Sequence, residues 1–247
     1  MGHPGAEADH AALVAARACP EIAAGDATVL STGTWFIALR SLDAHAPAAA
    51  MALDASRDCL VNVDVRGLPL PSARFMGGRE AQLLNSGRAL DNPADQARAV
   101  AAVPAVLAAG AQVLPGFVER VGPFPRQRGR WIGEPADDAA RAAAIALYLA
   151  LVADTSLELI GAREQLMVEG RFAHSEVFVR ALASLRPGTR VYRSSTPEQG
   201  DVSFGALRLV HPRIAMRGAL QRVRALESDL SMYKNQWHRN SMPGVNA

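Results

Sequence analysis

A glycine-tipped turn between two strand-forming runs constrains this chain more than any other feature. Ser31-Thr32-Gly33-Thr34-Trp35 separates Ala27–Leu30 from Trp35–Leu39. Apolar and β-branched residues bracketing a short polar turn specify a β-hairpin. A glycine at its tip can take backbone angles closed to other residues, so that successive N–H groups converge on an anion with no side chain in the way, and the flanking hydroxyls can donate to phosphate oxygens or help hold a metal bound to them. The same composition also serves turn geometry alone, so both readings stand at this level.

Two further glycine-bearing turns recur later. The run Leu166-Met167-Val168-Glu169 breaks at Gly170 and leads into a helical pattern of Val177, Phe178, Ala181, Leu182 and Leu185. The segment Thr196 to Leu207, with Gly200 and Gly205, follows a short strand at Thr189 to Arg193 and opens another apolar stretch. Strand, turn and helix in that order place each turn beyond the carboxyl end of a strand, where open α/β sheets bind ligands.

These residues carry a resemblance. Val29-Leu30-Ser31-Thr32-Gly33-Thr34-Trp35, Val168-Glu169-Gly170-Arg171-Phe172-Ala173 and the closing Gly205-Ala206 turn resemble the carboxyl-terminal half of FGGY carbohydrate kinases. Asp58 to Val65, followed by Pro71-Ser72-Ala73-Arg74-Phe75-Met76-Gly77-Gly78-Arg79-Glu80, is similar to the same family's next hairpin and helix. The resemblance runs over roughly residues 5 to 210. It implies an α/β domain of the ribonuclease H-like, actin-like ATPase kind, a mixed sheet with helices on both faces. It also implies ATP and Mg2+ as cofactors and a ketose of the pentulose, rhamnulose or fuculose kind as substrate. Family members carry a preceding domain that supplies most sugar contacts. No sequence for it precedes Met1, so the chain is expected to be the second half of such a kinase, with an amino-terminal half as partner.

By the same resemblance, Ser31, Thr32, Gly33 and Thr34 face the β- and γ-phosphates. Gly170, Arg171 and Phe172 lie against the nucleoside with Gly205, and Ser175 or Glu176 stands where many relatives place asparagine. The family's Gly-x-His-Asp element is altered here: an ungapped match puts Glu7 at the histidine and Ala8 at the catalytic aspartate, while a shift of one residue brings Asp9 there. A carboxylate can accept the sugar hydroxyl proton and alanine cannot, so Asp9 is the candidate general base. A plain surface aspartate is the alternative.

Composition narrows the chemistry. Lys234 is the sole lysine, which excludes a Walker-type phosphate lysine or a Schiff-base lysine in the main domain. The alanine and arginine bias is that of a GC-rich bacterial genome. A net charge of +2 from 26 basic and 24 acidic residues leaves no nucleic-acid footprint. The scattered histidines and the two cysteines, Cys19 and Cys59, give no metal spacing and no Cys-x-x-Cys pair, and the amino terminus shows no apolar signal, so a cytoplasmic location is expected. The longest apolar run, Ala142 to Ala153, is too short to span a bilayer and reads as part of a buried helix from about Asp137 to Ile160.

Remaining elements follow from local signals. Ala11 to Ala18 reads as helix, as does Glu80 to Leu84. Pro93 to Ala109 reads as a longer helix whose Asp95 and Gln96 suit its first turn. The stretch Pro115 to Pro135, rich in proline, glycine and arginine, reads as a long ordered loop; Arg126, Arg128 and Arg130 form either a solvated rim or a phosphate contact. His174 follows the Gly170 turn, either beside a nucleotide or as a partly exposed residue at a helix start. Beyond Pro212, Ile214, Leu220, Val223, Leu226 and Leu230 approximate a helical stripe. The expected division is residues 1–212 for the domain and 213–247 for a helical tail, packed in cis or pairing with a second subunit as a homodimer. The functional expectation is the ATP-binding half of a sugar kinase; the alternative is an inactive remnant that keeps the fold as a nucleotide-binding or interaction module.

Overall fold

The computed structural model describes residues 25–42, 53–64, 67–194 and 220–242, with positions 13, 14, 16, 17, 19, 22, 207, 210 and 211. Its centre is a seven-stranded sheet. β1 (Ala27–Thr32) and β2 (Phe36–Ser41) form the expected hairpin, with Thr32 opposite Phe36 and Ala27 opposite Ser41. Ser31 and Thr32 therefore belong to β1, and the turn itself is Gly33 to Trp35. β3 (Cys59–Val63) and β4 (Pro69–Phe75) form a second hairpin, and β4 pairs antiparallel with β2. β7 (Gln165–Gly170) runs parallel to β1 on its other side, β8 (Arg190–Ser194) parallel to β7, and β9 (Leu220–Arg222) closes the edge antiparallel to β8. The order is β3-β4-β2-β1-β7-β8-β9.

Both faces of the central strands are covered, which explains why they read as nearly continuous apolar runs. Leu30, Leu166 and Val168 point to one core; Val29 and Met167 point to the other. The smaller core is capped by helical residues Leu13 and Ala16 together with Ile22, Tyr192 and Leu220. Among the described residues, five helices line the larger core. α1 (Gly77–Leu84) begins three residues before the expected Glu80. α2 (Pro93–Ala109) starts where Asn92 accepts from Ala94 N–H with Pro93 at the first helical position, and stops at Gly110 in the left-handed region.

α3 (Asp138–Leu159) is capped by Asp137, which accepts from Ala140 N–H, and is buried without a break from Ala143 to Leu157. Its alanines let neighbouring elements approach closely, so it serves as the core's axis. Among the described residues it is also the one helix long and apolar enough to cross a membrane; 83% of its apolar window is buried inside the protein. α4 (Glu176–Leu185) follows the Gly170 corner, and α5 (Ser231–Asn240) ends the described chain.

Two expectations are corrected. The Pro115–Pro135 stretch is not wholly a loop, because β6 (Arg130–Ile132) pairs antiparallel with β5 (Gln112–Leu114). The helical stripe from Leu220 to Leu230 does not form: Leu220 lies in β9 opposite Ser194, Val223 N–H donates to Val191 O, and helix resumes only at Ser231. Pairing along a sheet edge outweighs a marginal helical periodicity in so short a segment. Ile214 lies outside the described residues. α5 is docked on the domain: Trp237 is fully buried and donates from Nε1 to Val113 O at 2.7 Å, and Tyr233 OH donates to Ala111 O at 2.7 Å.

Candidate functional site

Parallel pairing of β1 with β7 brings Thr32 opposite Gly170, so two carboxyl-terminal strand ends meet at one corner. The register is enforced sterically. Gly170 has φ 77°, and a Cβ there would lie 2.5 Å from Thr32 O and 3.2 Å from Thr32 N, so no other residue fits without moving the backbone. The Thr32 hydroxyl, 1% exposed, fastens the junction: it donates to Glu169 O and accepts from Phe172 N–H at 3.0 Å. Its hydroxyl thus ties the hairpin to the Gly170 corner.

The turn differs from the sequence expectation in one respect. Gly33 lies outside the left-handed region, and a Cβ built on it would meet only Trp35 O at 3.8 Å. Its N–H donates to Trp35 O at 2.9 Å. Glycine at 33 is therefore not required by the turn; what its missing side chain leaves is open surface. Gly33 and Thr34 are exposed, and Trp35 lies under the guanidinium of Arg74, 4.9 Å from its ring centre. Arg74 in turn contacts Asp58 at 3.4 Å.

A third element joins this corner. Phe36 pairs with Phe75 at the end of β4, and α1 starts immediately after. A Cβ on Gly77 would come within 2.8 Å of the Phe36 and Phe75 rings, and one on Gly78 within 2.1 Å of Gly33 O. Met76 supplies no side-chain cap, and the first helical bond is Glu80 N–H to Met76 O. The amides of Gly77, Gly78 and Arg79 thus form an uncapped helix start, the positive end of a helix dipole, against the Gly33 turn. Neither Gly77 nor Gly78 is among the site residues expected from the sequence. A double glycine between a strand and an apolar helix was the available signal.

The remaining candidates fall as follows. Arg171 donates to Asp91 at 3.1 Å and remains 45% exposed beside the corner. The Phe172 ring is buried among Phe36, at 4.9 Å, and Phe178, at 6.2 Å, so only its backbone reaches the corner. Ser175 is buried at the N-cap of α4, its N–H donating to Phe172 O. Glu176 is paired with Arg193 at 2.5 Å, and His174 is exposed in the short 3-10 turn Arg171–His174. Asp9 and Gly205 lie outside the described residues.

Behind the helix start, burial pushes the Glu80 carboxyl up from its ordinary pKa, against hydrogen bonds from Tyr148 OH at 2.7 Å and Val118 N–H at 3.3 Å. This contact fastens α1 to the Pro115–Pro135 stretch and to α3. Among the described residues, no group of three or more His, Cys, Asp or Glu is arranged to hold a metal. Mg2+ retains most of its water and needs few protein ligands, so the corner would hold one through phosphate oxygens and water, with the exposed Thr34 as the nearest candidate hydroxyl of the turn.

Comparison with known proteins agrees with this geometry. Residues 24–218 match the family model described as carbohydrate kinase FGGY, C-terminal domain. A carbohydrate kinase from Novosphingobium aromaticivorans is 51% identical with a TM-score of 0.89, the match covering 95% of this chain and 51% of that one. Xylulose kinase from Bifidobacterium adolescentis (18% identity, TM-score 0.60, 95% and 46% covered) and glycerol kinase with ADP from Plasmodium falciparum (12%, 0.61, 96% and 50%) share the fold. The chain spans about half the length of these solved relatives. No curated protein matches it. The sheet is therefore the ribonuclease H-like, actin-like ATPase architecture of these kinases. The chain belongs to the FGGY carbohydrate kinase family, as a carboxyl-terminal domain.

Proposed function

We propose that this domain is the nucleotide-binding half of a cytoplasmic kinase that moves the γ-phosphoryl of Mg-ATP to a hydroxyl of a ketose, working with a domain that supplies the sugar contacts. The observation that carries the reading is the meeting of three glycine-bearing elements, Gly33, Gly78 and Gly170, at adjoining strand ends. Phosphates lie against Gly33, Thr34 and the α1 amides, and the nucleoside lies along Gly170 and Arg171. Bound Mg2+ supplies charge neutralisation at the phosphates. Lysine plays no part, because Lys234 is engaged by Asp154 at 2.6 Å and Glu158 at 2.9 Å on α3. The sugar oxygen forms its bond to Pγ as the bond to the β,γ-bridging oxygen breaks, ADP departs, and Asp9 takes the hydroxyl proton. Positioning and electrostatics supply most of the rate in such a transfer.

A second reading, a nucleotide-binding module without turnover, is favoured by Ala8 at the ungapped position of the family's aspartate. Titration calorimetry with Mg-ATP and a coupled ADP assay over a panel of ketoses tests both. The proposal expects saturable heat at up to millimolar nucleotide and no turnover by this chain alone. An absence of heat contradicts nucleotide binding; turnover by this chain alone removes the second reading and also contradicts the expected need for a domain that supplies the sugar contacts.

A further inference from the structure

A cleft of about 620 Å³ opens on the helical side, sharing no lining residue with the Gly33, Gly78 and Gly170 corner. Its floor is the end of α3, Thr155 to Leu159. The next residue, Ile160, accepts through its carbonyl from Arg40 of β2, which pairs with Thr28 near the start of β1. Gly33 follows the other end of that strand, so the floor lies away from the nucleotide corner.

Pro123, Phe124, Pro125 and Met242 add an apolar lining. The mouth carries Arg57 and Arg126. Arg57 donates from Nε to Pro123 O at 2.9 Å and lies 5.9 Å from the Phe124 ring centre, which leaves its two terminal nitrogens directed elsewhere. Among the described residues neither guanidinium is in an ion pair within 4 Å, whereas both carboxylates of the lining have other partners. Asp54 accepts from Ser56 N–H and Oγ, and Glu158 accepts from Lys234. Asp54 is held below its usual pKa first by those Ser56 bonds and then by Arg57 and Arg126. His238 is held below its usual pKa by burial and by Lys234, and adds no cation at neutral pH. Also in the lining, just past α5, the buried Ser241 Oγ has no hydrogen-bond partner.

We propose that this cleft is a second ligand site, distinct from the nucleotide corner, for a small anion with a flat apolar body. The phosphate or carboxylate head binds at Arg57 and Arg126, and the body lies beside Phe124, against the flanking prolines. The volume falls in the range of small-molecule sites, and two guanidinium groups lining one cleft without an ion-pair partner suit an oxyanion. It also gives a role to Arg126, which the sequence left open between a solvated rim and a phosphate contact.

The test is an 1H–15N NMR titration of the whole chain with phenyl phosphate, with benzoate, inorganic phosphate and benzyl alcohol as separate arms and saturating Mg-ADP in a parallel series. Phenyl phosphate is expected to shift Phe124, Gln127 and Arg57 resonances saturably, with a Kd below about 1 mM. Inorganic phosphate and benzyl alcohol each bind roughly tenfold more weakly, because each lacks one half of the recognition. Benzoate behaving like phenyl phosphate identifies the head as any oxyanion, and benzoate binding roughly tenfold weaker identifies it as phosphate; both support the site. Mg-ADP leaves these shifts in place. The double variant Arg57→Gln/Arg126→Gln loses at least about tenfold in affinity. Arg126→Gln alone, which alters an exposed side chain, loses part of it and keeps the test valid if the double variant unfolds. No saturable shift at the cleft by about 10 mM phenyl phosphate, shifts confined to Gly33 and Thr34, or unchanged affinity in Arg126→Gln overturns the proposal.

Discussion

Gly78→Ala isolates the contact on which the site's geometry depends. The added Cβ would lie 2.1 Å from Gly33 O, 2.9 Å from Gly33 C and 3.0 Å from Thr34 Cα, all backbone atoms that no rotamer change can move aside. Restoring ordinary contact requires the helix start and the turn to separate by about 1 Å. Overpacking of this kind costs about 1–3 kcal/mol, and alanine's higher helix propensity returns at most about 1 kcal/mol. A net loss of about 1–2 kcal/mol in urea unfolding is expected, together with at least roughly tenfold weaker Mg-ADP binding, because the α1 amides and the Gly33 turn no longer meet. Gly33→Ala is the matched control. Its Cβ meets only Trp35 O at 3.8 Å, so stability stays within about 0.5 kcal/mol of the parent while nucleotide affinity falls as the methyl enters the ligand's space. If Gly78→Ala keeps both parent stability and parent affinity, the close approach of α1 to the turn does not build the site, and the reasoning fails.

Other perturbations probe separate links. Thr32→Val leaves Phe172 N–H buried without its acceptor, at a cost of about 1–3 kcal/mol, and loosens the Gly170 corner; an unchanged unfolding midpoint would refute the fastening role. Burial raises the Glu80 pKa above 4.5, so the folded state binds its proton more tightly than the unfolded chain does. The stability this contributes is full below pH 4.5 and is lost as pH rises through the folded value; Glu80→Gln removes that slope, and identical pH profiles for the two proteins would count against it. Trp237→Ala removes a fully buried ring and its bond to Val113 O, and about 3–5 kcal/mol of stability should go with it. A much smaller loss would mean that α5 is peripheral to the core.

Much of the architecture was legible because its signals are local. Asn92-Pro93 and Gly110 mark both ends of α2, Asp137 marks the start of α3, and the Ser31–Trp35 turn separates two runs of strand-forming residues. Where local signals fade, contacts distant in sequence decide the structure. Gly77 and Gly78 are poor helix formers, so the first turn of α1 was hidden, and the reasons for them are contacts with the Phe36 and Phe75 rings and with Gly33, mostly far back in the chain. Leu220 to Leu230 spaced like a helix, but a three-residue edge strand carries too little period to announce itself, and its partner β8 is distant in sequence. The corner was half visible: Gly33 and Gly170 stood out as turns, while the Thr32 hydroxyl spans 137 residues to reach Glu169 and leaves no trace in local pattern. For Phe172 the sequence showed an aromatic beside a glycine; burial decides that its ring belongs to the core.

The central claim is that Gly33, Gly78 and Gly170 line one nucleotide site. An 1H–15N titration of the chain with Mg-ADP tests it most directly. The account predicts that the amides of Gly33, Thr34, Gly78 and Gly170 shift together along one saturation curve. Saturable binding that leaves these four amides unmoved, or moves them along different curves, contradicts it.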